Sequence, residues 1–103
     1  MQRFSVKIIE IANKITVPGS IIIKMGLKQR PEFYLYPAGY LLILQKYNKP
    51  NIPDYAVAVR LDELKIITAP EDIMDKMNWK VGDTVSFYLA NSEMAIIELD
   101  ERG

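Results

Sequence analysis

The feature that most limits how this chain can fold is an internal repeat. Residues 66–89 have a worn copy 52 positions upstream, with identities at Ile15 and Ile67, Thr16 and Thr68, Pro18 and Pro70, Ile21 and Ile73, Lys24 and Lys76, Met25 and Met77, Lys28 and Lys80, and Tyr36 and Tyr88, and at the next position beyond it, Ala38 and Ala90. Ordinary composition would give about one or two such matches. With 103 residues in all, each half alone would bury too little apolar surface to offset the entropy of ordering it. A single domain over 1–103 is therefore expected, with repeat one at 1–46, a linker at 47–54 and repeat two at 55–103.

Each copy contains the same parts. A strand-like run ends in Thr-x-Pro, and proline, with no amide hydrogen and a preset φ, suits the first turn of a helix. The helix places Ile21, Ile22 and Met25, or Ile73, Met74 and Met77, on one face. It should stop at Gly26 and at Asn78, the residue types most tolerant of a left-handed backbone. An apolar plug follows, Leu27 or Trp79, and in the second copy Lys80-Val81-Gly82-Asp83 signals a turn.

Alternation predicts the strands. Phe4, Val6 and Ile8 should enter a core while Lys7 faces water; Phe33 and Leu35, Leu42 and Leu44, and Val57, Val59 and Leu61 are the other expected inward sets. Pro37-Ala38-Gly39 reads as one hairpin turn and residues 90–94 as the other, which would widen the offset between copies to about 55. Asp62-Glu63 reads as a tight connection. Tyrosines on such strands are expected outside a sheet or at an interface, and Trp79 in the core.

Composition removes several classes of function. There is no Cys and no His, so disulfides, thiolate metal sites and the commonest general base are absent. No catalytic residue, metal site or cofactor is expected, and the chain does not read as an enzyme. The apolar runs are too short for a membrane span, and the alternating N-terminus does not read as a signal peptide, so a cytoplasmic location is expected. Net charge is zero, yet residues 1–49 hold eight basic and two acidic residues while residues 50–103 hold five basic and eleven acidic. Such a division points to a polyanion-binding surface on the basic side.

Lys14-Ile15-Thr16-Val17-Pro18 with Met25-Gly26-Leu27-Lys28, and Ile67-Thr68-Ala69-Pro70 with Met77-Asn78-Trp79-Lys80-Val81-Gly82-Asp83-Thr84-Val85, resemble the AbrB/MazE/MraZ swapped-hairpin superfamily. The similarity spans nearly the whole chain, twice. It implies a mainly β fold, a swapped-hairpin β-barrel made by two tandem AbrB-like repeats with one short helix each. It also implies DNA binding as a transcriptional regulator or antitoxin, through the N-terminal strands and their loop, which correspond to Arg3, Lys7, Asn13 and Lys14. In the first copy Gln29-Arg30-Pro31 replaces the Gly-Asp turn, which must be built differently there.

The two helix starts differ. Glu71 and Asp72 complement the positive end of the second helix, whereas Gly19 and Ser20 leave the amides of the first open to a phosphate. Lys24, Lys28 and Arg30 lie in the same basic copy. Together with the strand residues they form the expected contact set for double-stranded DNA, lysines on phosphates, arginines and Asn13 on base edges. The competing reading is a protein-interaction or antitoxin-like module assembling through the acidic second repeat, with little DNA affinity; a homodimer fits either.

Overall fold

The computed structural model describes residues 3–28, 32–46 and 52–100. Repeat one contributes β1 (Arg3–Ile8), β2 (Lys14–Thr16), α1 (Gly19–Met25), β3 (Glu32–Ala38) and β4 (Leu41–Lys46). Repeat two contributes β5 (Val57–Arg60), β6 (Ile66–Thr68), α2 (Glu71–Met77), β7 (Thr84–Asn91) and β8 (Met94–Leu99). The fold is mainly β, as expected. A six-stranded antiparallel sheet runs β1-β7-β8-β4-β3-β5, and β2 and β6 form a second, two-stranded sheet.

The repeats interlace. β1 pairs with the hairpin of repeat two, β5 with the hairpin of repeat one, and β2 with β6. Ile15 lies opposite Ile67, its own counterpart. Ile43 lies opposite Ile96, and these are counterparts too, because Tyr36 pairs with Ile43 as Tyr88 pairs with Ile96. An approximate two-fold axis therefore passes through both pairs. Apart from the pairs at two irregular positions, Arg3 with Tyr88 and Asn91 with Met94, the other pairings obey it: Lys7 meets Val85 as Val59 meets Phe33.

The core draws on both repeats, with Ile15, Leu35, Leu42 and Leu44 beside Ile67, Val85, Phe87 and Ile97, all fully buried. Burial of such a side chain contributes about 1.5–3 kcal/mol. Helix ends follow the sequence. Gly26 and Asn78 are left-handed at φ 66 and 59, the Leu27 and Trp79 amides donate back to the Ile22 and Met74 carbonyls, and both plugs are buried. The prolines sit just outside the helices, as Pro18 and Pro70 caps.

Four expectations need correction. The sheet order is open, ending at β1 and β5, so hydrogen bonds do not close a barrel. At each seam the ladder is reduced to the loop, where the Glu10 amide donates to Lys14 and the Asp62 amide to Ile66. β1 also shows the opposite phase: Val6 and Ile8 are 40% and 57% exposed, Lys7 is half-buried and Ile9 is fully buried. Pairing with buried Val85 turns Lys7 inward, while a bulge between Arg3 and Ser5 lets Phe4 still pack on the core. The first hairpin turns at Gly39 and Tyr40, with Pro37 inside β3. The second turns at Ser92 and Glu93, so the offset grows only to 53, as Ile43 and Ile96 show.

The outer sheet face carries one polar latch. The Tyr36 hydroxyl donates to Gln45 Oε1 at 2.6 Å, and both side chains are buried, unlike the exposed Tyr40 and Tyr55. Tyr55 lies edge-on to Tyr36 at 6.2 Å and donates to the Pro37 carbonyl at 3.4 Å. Desolvation, with Tyr55 as a second cause, raises the Tyr36 pKa above its ordinary value. A raised acid favours the protonated fold, so this contribution is full below the unfolded tyrosine pKa and lost as pH rises through the folded one. Urea titrations across the alkaline range should show Tyr36→Phe losing less stability with pH than the parent chain. On the axis, Ile15→Ala and Ile67→Ala should each cost about 2–5 kcal/mol. Their double variant should depart from additivity, because the two side chains face each other.

Candidate nucleic-acid interface

The loops after β1 and β5 are built alike from different residues. In the first, residues 11–13 make a short 3-10 turn and Asn13 is left-handed at φ 59; in the second, Lys65 holds the same place at φ 65. Their carbonyls perform the same task, accepting from the Ala69 amide and the Val17 amide across the axis. Asp62 Oδ1 accepts from the Leu64 and Ile66 amides, which is the tight connection read from the sequence. Each loop presents one bare apolar tip: Ile11 is 81% exposed and Leu64 73%.

The expected contact residues lie on several elements. Lys14 is exposed on β2 opposite Thr68, next to half-buried Asn13. Lys7 lines a groove of about 430 Å³ with Val6, Ile8, Glu10 and Thr16, between β1 and β2. Arg3 lies at the far end of β1, roughly 13 Å away along the strand, and its Nη1 approaches Asp100 Oδ1 at 3.4 Å. Such an exposed pair contributes little, but it directs the guanidinium toward repeat two.

Gly19 and Ser20 are exposed at the start of α1, where no side chain caps the helix and no acid occupies the first turn. Glu71 and Asp72 do occupy it in α2. Lys24 and Lys28 are exposed at the other end of α1, about 10 Å on. Lys46 joins them there, its Nζ 3.9 Å from where a Gly26 Cβ would stand. Cations at a helix C-terminus are favoured by its partial negative charge whatever the ligand. Arg30, with the Gln29-Arg30-Pro31 turn, lies outside the described residues.

Lys46 and the exposed tips Ile11 and Leu64 were missed by reading the sequence. The 52-residue alignment held a signal for the loops, since it places Lys65 on Asn13, a residue suited to positive φ. Among the described residues no three acidic side chains gather to hold a metal, and no helix is long and apolar enough to cross a membrane. No protein-family model matches the chain, and no curated protein does.

The left-handed lysine yields a stability test. Lys65→Asn should raise the unfolding free energy by about 0.5–1 kcal/mol, since asparagine tolerates this backbone better. Urea denaturation checks it.

Proposed function

We propose that this chain is a DNA-binding regulator on the swapped-hairpin plan of the AbrB/MazE/MraZ superfamily, gripping duplex DNA mainly with repeat one. The observation that carries the reading is the pair of two-fold-related loops flanking the β2–β6 ribbon, with Lys14 exposed on it. The cross-pairing of β1 with β7 and β5 with β3 agrees with that plan. Lys7 and Lys14 serve as phosphate contacts and Asn13 as a candidate for a base edge, with Gly19 and Ser20 beyond them. The second loop is acidic at Asp62 and Glu63, so contact is one-sided and electrostatically weaker than in a symmetric dimer.

Lysines common to both copies have a structural explanation. Lys24 and Lys76 both sit in the last turn of their helices. Lys7 and Lys14, by contrast, have Val59 and Ile66 as counterparts. These two are the cations peculiar to the proposed surface. A second reading, docking of a protein partner, is favoured by the exposed apolar tips Ile11 and Leu64, the latter next to those acids in the chain.

Gel-shift titration against genomic duplex fragments over a salt series separates the two. Lys14→Glu should weaken DNA binding more than Lys24→Glu and lower the salt slope by about one. Duplex affinity weaker than about millimolar at low salt would sink the DNA reading. Salt-sensitive self-association or capture of a partner, lost in Leu64→Ser, would then favour docking.

A further inference from the structure

The two repeats treat the outer face of the large sheet differently. On β3 and β4, Tyr36, Ile43 and Gln45 are buried, and Tyr55 lies over Tyr36. Their counterparts on β7 and β8, Tyr88, Ile96 and Glu98, are only half-buried. The position matching Tyr55 is Arg3, which turns to Asp100 instead. What this leaves is a groove of about 470 Å³, lined by Tyr40, Trp79, Tyr88, Glu98 and Asp100 together with Met77 and Leu99.

Three aromatic rings and two carboxylates thus share one opening. Aromatic rings attract cations through their quadrupoles, and carboxylates add full charge. Asp100 is engaged, its Oδ1 accepting from Ser86 Oγ at 3.1 Å and from Arg3 Nη1 at 3.4 Å. Glu98 has no partner among the described residues. It stands where repeat one has neutral Gln45, so the substitution puts a negative charge into this face alone. Arg3 offsets Asp100, and Glu98 leaves the groove net negative. The chain also carries the same attraction elsewhere, since Lys76 Nζ lies 5.7 Å from the centre of the Tyr55 ring.

We propose that this groove binds an organic ammonium ion, with the Glu98 carboxylate meeting the charge and Tyr40, Tyr88 and Trp79 meeting its carbon groups. Its volume falls in the range of small-ligand sites. The same head group is offered by a free alkylammonium compound or by the lysine side chain of a peptide. This site is independent of the DNA reading and stands or falls separately from it.

Trp79 lines the groove and is the sole tryptophan, so its indole N–H gives a single NMR resonance that reports on it. The full chain is titrated with tetramethylammonium chloride and with N-acetyl-lysine N-methylamide, against sodium chloride at matched ionic strength. The ammonium probes should shift that resonance saturably, with half-saturation at about 1–10 mM, while sodium should not. Glu98→Gln should weaken both probes about fivefold and Tyr40→Leu about threefold. An unchanged thermal unfolding midpoint in both surface variants separates lost binding from lost structure. Tighter binding of tetramethylammonium supports a small ligand, and tighter binding of the lysine derivative a peptide. Shifts that sodium reproduces, or that persist undiminished in both variants, overturn the proposal.

Discussion

The contact between Ile15 and Ile67 fixes the relation of the two halves. Both side chains are fully buried, and each is the other's counterpart in an antiparallel pair. A slip of one residue along β2 or β6 would turn that strand's isoleucine to the surface, because side chains alternate from one face to the other. With that register held, β1 pairs with the hairpin of repeat two and β5 with that of repeat one. The cross-repeat bonds from Val17 to Lys65 and from Ala69 to Asn13 then brace the ribbon at both ends. The KVGD turn is held in the same way, the Gly82 amide donating to Ile9 and the Ile9 amide to Asp83.

Much of this frame was legible in the sequence, because it rests on local rules. A left-handed residue after an apolar helix face ends the helix wherever the tertiary contacts lie, so Gly26 and Asn78 could be read directly. Alternation in β3, β4 and β5 likewise located buried Phe33, Leu35, Leu42, Leu44 and Val59. In β1 the same rule gave the right period and the wrong phase. Hydropathy favoured Val6 and Ile8, but phase is a property of a strand pair, and Val85 determines it from another repeat. Aligning Lys7 with buried Val59 would have recovered it. Barrel closure was beyond such reading. It depends on whether the seams beside β2 and β6 carry a full ladder, and the sheet order is open there.

The candidate sites were less legible for a different reason. Cations are easy to count along a chain, but their grouping depends on the fold. Lys7 and Lys14 stand on β1 and β2, Lys24 on α1 and Lys28 in the turn after it, and Arg3 turns toward Asp100. The apolar tips Ile11 and Leu64 carry no signature of exposure at all, since isoleucine and leucine near a strand ordinarily read as core.

A duplicated frame offers its own control for separating support from function. Several apolar positions identical in both copies, such as Ile15 and Ile67 or Ile21 and Ile73, are buried and explained by packing. Positions that differ on the surface are free of that duty, and such differences include the loop pair, the helix starts and the outer sheet face. At the last of these Gln45 accepts the Tyr36 hydroxyl inside a covered patch, whereas Glu98 stands beside half-exposed Tyr88. Replacing a satisfied amide by a carboxylate removes a neutral hydrogen-bonding partner and adds charge that must be solvated or matched. The cost is small only because the groove is open. The opening that makes the charge tolerable is thus also what leaves it accessible to a cation.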